Sequence, residues 1–136
     1  MGIIGILLHN ISCKKEDNIK GSITVTNSTD ITDVREGELP SLEKKGLFID
    51  FDYITNYKNE QADIAKISIH GSVICLEKNN KEIIDKWKND RMLPDELHIA
   101  ATNAILRKCS SMALWLSEEV QLPSPIALPM IAKKKE

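Results

Sequence analysis

The sequence predicts an α+β domain, a four-stranded antiparallel sheet followed by a short and a long helix. Three observations predict it. Apolar residues alternate with a period of two through the first half, and beyond Asn79 the period lengthens to three and four residues. Every helical signal also falls after every strand signal, the order that separates α+β chains from alternating α/β ones.

Ile3 to Cys13 is β-branched and apolar with weak alternation. Ile19 to Thr26 alternates cleanly, with Ile19, Gly21, Ile23 and Val25 on one face and Lys20, Ser22, Thr24 and Thr26 on the other. The charged stretch Lys14 to Asn18 between them suits a hairpin turn. Asn27 to Asp30 interrupts the pattern as a bulge or turn before Ile31 to Val34. Arg35 to Lys45, with Gly37 and Pro40, reads as a loop containing one helical turn.

Leu47 to Tyr57 is the next strand. Leu47, Ile49, Phe51, Tyr53 and Tyr57 share one face, and Phe48, Asp50, Asp52, Ile54 and Asn56 the other, whose two aspartates mark it as the wetter side. Lys58 to Gln61 turns the chain into a last strand, Ala62 to Glu77. There Ala65, Ile67, Ile69, Val73 and Cys75 oppose Lys66, Ser68, His70 and Ser72. Gly71 in mid-strand predicts a bend or bulge.

Asn80 to Asp90 is a short helix capped by Asn79 or Asn80, with Ile83, Ile84 and Trp87 as its apolar side. Pro94 followed by Asp95 and Glu96 is a helix opening, since proline fits the first turn and acids suit the positive end of the dipole. The long amphipathic helix spans Leu93 to Val120. Its stripe of Leu97, Ala101, Ile105, Cys109, Met112, Leu116 and Val120 faces a sheet or another subunit. One sheet with helices on one face leaves edges to manage, and a homo-oligomer, dimer or tetramer, is one solution.

A single domain over residues 1–131 with a charged tail at 132–136 suits a chain of 136 residues. Hydrophobic content of 42% and charged content of 28% are those of a globular protein. A net charge of −2 argues against a nucleic-acid binder, whose domain would be basic. The opening run Met1 to Leu8 has no positive n-region and ends at His9, too short for a secretory leader. No stretch approaches the roughly 18 apolar residues of a membrane span. The expected location is the cytoplasm. Cys13, Cys75 and Cys109 stand far apart among apolar neighbours, the pattern of buried reduced thiols.

The long helix runs into Leu122-Pro123-Ser124-Pro125-Ile126-Ala127-Leu128-Pro129-Met130. Proline forbids continuation of the helix and entry into a central strand. The apolar residues between the prolines still want a dry surface, on the fold itself or on a partner. Nothing in the segment is chemically reactive, so it points to binding.

Enzyme signals are few. GxGxxG, GxxxxGK, GxSxG and HExxH are all missing, and no histidine or cysteine spacing matches a metal site. His9, His70 and His98 are scattered. His70 is within reach of a neighbouring-strand carboxylate, Asp50 or Asp52, for an acid–base pair, but a surface histidine on a polar strand face is the simpler reading. Trp87 and Trp115 read as core or subunit-interface anchors. No catalytic residue, cofactor or metal is expected.

The order of elements resembles the bacterial export chaperone SecB and a less characterised archaeal group of SecB-like proteins, from Ile3 to Ile131. Ile64 to Ile74, with its glycine, is similar to the family's fourth strand, and Asn103 to Cys109 to the start of its long helix. Leu122 to Pro129 is similar to its helix-to-tail junction. The family's strand region is more aromatic and glycine-rich, whereas this chain is 4% aromatic. The resemblance implies an ATP-independent holdase, a homotetramer that binds unfolded polypeptide. Leu116, Leu122, Ile126, Leu128 and Met130 then become the expected walls of a peptide groove, and Asp50, Asp52 and Glu60 the expected partner-docking acids. The alternative is a non-catalytic interaction or assembly module that keeps the fold but binds one folded partner.

Overall fold

The computed structural model describes residues 2–17, 21–39, 42 and 44–127. Four strands, β1 (Gly2–Lys15), β2 (Thr24–Leu39), β3 (Lys44–Lys58) and β4 (Asp63–Leu76), precede α1 (Asn80–Asp90) and α2 (Asp95–Glu119). The strands form one antiparallel sheet in the order β1-β4-β3-β2. The α+β plan is therefore as the sequence predicts.

The expected hairpin between the first two strands does not form. β1 pairs with β4 and β2 with β3, so the two strands lie at opposite edges of the sheet. The alternating pattern tells which face a residue takes; it does not tell which strand lies beside it. Ile19 and Lys20, assigned to the second strand, lie outside the described residues.

β2 also runs further than expected. The polar stretch Asn27 to Asp30 stays in register with Thr55 to Asp52, and the irregularity sits later, between Ile31 and Asp33. Arg35 to Leu39 is not a loop but the end of β2. It zips onto Leu47, Gly46 and Lys44 with Gly37 opposite Gly46. A Cβ on Gly37 would lie 2.8 Å from the Phe48 ring, so glycine is what lets that ring lie across the strand.

β3 and β4 bury their inner faces as the pattern dictates: Leu47, Ile49, Tyr57, Ile67, Ile69, Val73 and Cys75 are each 0% exposed. Asn59 closes the hairpin between them. Its Oδ1 accepts the backbone N–H groups of Gln61 and Ala62, both at 2.9 Å. The irregularity expected at Gly71 falls instead on β1 opposite it, between Leu8 and Asn10, where His9 is the extra residue. A Cβ at position 71 would sit 2.5 Å from the Leu7 carbonyl oxygen, which is why β1 approaches so closely there.

α1 buries Ile83 and Trp87, with Ile84 half-buried. Asn79 precedes it without a side-chain cap bond, and Arg91 ends it at φ 59°, its N–H on the Trp87 carbonyl at 2.8 Å. α2 starts after Pro94 rather than at Leu93 and buries Leu97, Ala101, Ile105, Cys109, Ala113 and Ser117. That stripe repeats strictly every fourth residue, so the buried face drifts by about 40° per step around a helix of 3.6 residues per turn. The helix thus turns a different side to the sheet at each end. Met112, Leu116 and Val120, expected in the stripe, flank it half-buried. Trp87 is core, but Trp115 is 56% exposed and is not.

Candidate functional site

The end of α2 sets up the site. The Gln121 N–H bonds the Glu118 carbonyl at 3.3 Å and the Leu122 N–H bonds the Ser117 carbonyl at 2.8 Å, with Gln121 at φ 59°. This paired arrangement is a Schellman motif. It turns the chain sharply, drives Leu122 into the core at 8% exposure, and hands over to Pro123.

Residues 123–127 then form a strap across the inner side of the sheet. Pro123 and Pro125 have no N–H to offer a ladder, so their carbonyls are met by side-chain donors instead. The Tyr57 hydroxyl donates to the Pro123 carbonyl at 2.8 Å, and the Asn27 amide N–H donates to the Pro125 carbonyl at 2.8 Å. Thr55 orients that amide, its hydroxyl donating to Asn27 Oδ1 at 2.7 Å. Lys15 Nζ donates to the Val120 carbonyl at 2.6 Å, a cation placed at the negative end of α2. Ser124 closes the strap on itself: its hydroxyl donates to the Ile126 carbonyl at 2.5 Å and accepts the Ile126 N–H at 3.3 Å.

The groove residues expected from sequence therefore divide. Leu122 is buried, as is Pro125 within the strap, and Leu116 and Ile126 are half-buried at its rim. Leu128 and Met130 lie outside the described residues. Burial pushes the Tyr57 hydroxyl up to about 12, with Cys13 and Tyr53 adding to the shift and Ser117 opposing it. The phenol stays a neutral donor at physiological pH. Cys75 and Cys109 are likewise buried free thiols, pushed by burial to about 12 and about 11. Cys13 is only half-buried, and burial raises its thiol as well.

The expected docking acids lie on the other face of the sheet. Asp50 is held by Arg35 through Nε at 3.0 Å and Nη2 at 3.3 Å, and by the Ser72 hydroxyl at 2.5 Å. His9 Nε2 reaches the same hydroxyl at 2.9 Å, and Arg35 stacks over the Phe48 ring at 4.7 Å. His70 Nδ1 bonds Asp52 Oδ1, directly across the strand pair, so Asp52 rather than Asp50 is its partner. Glu60 is exposed in the β3–β4 turn, about 20 Å along the strand from Asp52 and not part of this cluster. The sheet instead sets Asp30 opposite Asp52 and Asp33 opposite Asp50.

No family model matches the chain, and no curated protein matches it. Among solved structures it is similar to the Mycobacterium tuberculosis Rv1957 SecB-like chaperone, in complex with a ChAD peptide from the Rv1956 HigA1 antitoxin. The likeness covers 98% of this chain and 91% of that one, with a TM-score of 0.59 and 11% sequence identity. The fold is SecB-like. The four antiparallel strands followed by two helices match that neighbour's fold. Among the described residues no helix is long and apolar enough to cross a membrane.

Sequence reasoning missed the residues that hold the strap. Asn27 and Thr55 are polar residues on an inward face, and Asn27 stood in a stretch read as a turn. An inward Tyr57 hydroxyl, which must find an acceptor, was the one signal available.

Proposed function

We propose that this chain is an ATP-independent holdase that binds unfolded or partly folded polypeptide. The observation that carries the reading is the SecB-like fold, shared over nearly the whole chain with a chaperone solved with a peptide bound. Polypeptide capture needs apolar surface and carbonyl-directed donors, with little side-chain chemistry. The strap supplies the apolar surface, its Tyr57 and Asn27 donors being taken by its own Pro123 and Pro125 carbonyls. Leu116 and Ile126 form its apolar rim and Leu122 anchors it from beneath; Leu128 and Met130, outside the described residues, are carried as further candidates for the groove.

The protein acts in the cytoplasm as a homo-oligomer assembled through β1. Of the two sheet edges, β2 carries Asp30, Asp33, Arg35, Glu36 and Glu38, charges that discourage strand addition. β1 is apolar, with Ile4 50%, Leu7 48% and Ile11 44% exposed. A partner protein docks on the opposite face of the sheet against Asp50 and Asp52, with Glu60 at its margin.

The test is light scattering of a chemically unfolded model protein during refolding, without ATP. Suppression near one oligomer per client supports the holdase. Absence of suppression at excess favours the second reading, a module for one dedicated partner, which the antitoxin peptide in the neighbouring structure also favours.

A further inference from the structure

A cleft of about 490 Å³ opens at the end of the sheet away from the strap, where β1 begins, β4 ends and β3 begins. From Ala65, the partner of Tyr57, to Leu76 in the cleft wall, β4 runs roughly 36 Å at a strand's rise per residue. The volume falls within the range of about 300–1,000 Å³ typical of small-molecule pockets. Ile3 and Leu76, both half-buried, and Ile4, 50% exposed, form its apolar wall. Ile4 takes part because it is the extra residue of the β1 irregularity between Ile3 and Gly5, which releases it from the strand's alternation. Gly2 keeps the wall open: a Cβ there would meet nothing within 4 Å.

The charges at the mouth are unevenly matched. Lys44, Lys45 and Lys78 line it together with Glu77. Lys45 is taken up by β2, paired with Glu36 at 3.7 Å and standing opposite Glu38. Among the described residues the Lys44 and Lys78 side chains have no ion-pair or hydrogen-bond partner. Set against Glu77, these two ammonium groups leave the mouth with one positive charge in surplus. Lysine stems lie along apolar surface and keep the charged head at its edge. An apolar wall edged by free ammonium groups is complementary to a hydrocarbon chain that carries one negative charge at its end.

We propose that this cleft binds a small amphiphilic carboxylate of the medium-chain fatty-acid class. The hydrocarbon lies on Ile3, Ile4 and Leu76, and the carboxylate accepts hydrogen bonds from the Lys44 and Lys78 ammonium groups. Inorganic phosphate would meet the same lysines but leave the apolar wall wet, and a cationic amphiphile would bring its charge against theirs. The site is separate from the strap and does not depend on the polypeptide-binding reading.

The experiment titrates decanoate, kept below its micelle concentration, into the full isotope-labelled chain and follows the backbone amide signals. Decyltrimethylammonium, with the same tail and the opposite charge, and inorganic phosphate, with no tail, are the controls. Decanoate should shift Gly2, Ile3, Leu76 and Glu77, and neither control should. Lys44→Gln with Lys78→Gln should weaken decanoate about tenfold, the loss of two exposed ion pairs. Ile4→Ser should weaken it several-fold. All three side chains are exposed, so melting temperatures should stay within a few degrees. Leu7→Lys, which alters the β1 edge without touching the cleft, should bind decanoate as tightly; loss of binding there would mean that two copies build the site, and overturns its assignment to one chain. Equal binding of the cationic amphiphile, indifference to both lysines, or decanoate shifts centred on the strap overturns the proposal outright. Binding to phosphatidylglycerol vesicles with no shift by decanoate overturns it too, in favour of a membrane contact.

Discussion

The Tyr57 hydroxyl, on the inner face of β3, donates a 2.8 Å hydrogen bond to the carbonyl of Pro123, beyond the end of α2. One phenol thereby ties the sheet to the strap, and its chemistry makes the strap sensitive to alkali. Tyr57→Phe should cost about 1 kcal/mol, the net worth of one such bond, read from urea unfolding.

The pH dependence has a definite sign. Tyr57, Cys75 and Cys109 hold their protons more tightly when folded than at their ordinary values of 10.0, 9.0 and 9.0. The unfolded chain therefore releases protons first as pH rises. Stability should be intact below about pH 9 and fall progressively toward pH 12. Melting curves from pH 8 upward check this, and Tyr57→Phe should flatten the portion of the fall above pH 10. A flat profile in the unmodified protein would contradict the burial of all three groups.

Leu122 and Ile126 should respond differently to the same substitution. Leu122→Ser removes a buried anchor and should destabilise the fold by about 3 kcal/mol. Ile126→Ser, at the half-buried rim, should leave the melting temperature within a few degrees while weakening suppression of aggregation. A melting temperature that collapses with Ile126→Ser would make the rim part of the core and end its candidacy as a groove wall.

Gly71→Ala sets a methyl group 2.5 Å from the Leu7 carbonyl, a contact that only backbone movement relieves. The expected cost is about 2 kcal/mol. Hydrogen exchange should localise the damage, with faster exchange in β1 and β4 and unchanged protection in the β2–β3 pair.

Leu7→Lys places a charge on the apolar edge strand at a side chain already 48% exposed. Within one protomer it should change stability by less than about 0.5 kcal/mol. Size-exclusion chromatography with light scattering should show a lower oligomeric state than the unmodified chain. An unchanged mass would place any self-association elsewhere than on β1.

Much of the architecture was legible because burial acts on each residue separately. The inner faces of β3 and β4 follow from alternation alone, and the stripe of α2 from its spacing as far as Cys109. The weak alternation of β1 now has a cause. Register irregularities after Ile3 and after Leu8 shift the phase twice, so Ile3, Ile6, Leu8 and Cys13 all pack inward at uneven intervals. Asn27 was read as part of a break because its inward neighbour is the polar carbonyl of Pro125, a contact that hydrophobic patterning has no way to register. Of the candidate site, the strap was visible in its prolines, while its donors were not.

Sequence alone determined the order of elements, their periods, the end of the long helix and the apolar, non-reactive character of the proline-bearing segment after it. These are local properties, set by side-chain polarity and by the conformations proline permits. Only the tertiary structure decided that β1 joins β4 rather than β2, that His70 faces Asp52, and that Tyr57 and Asn27 reach the strap. Each joins groups far apart in the chain, and such pairings depend on how whole faces and free edges meet in space.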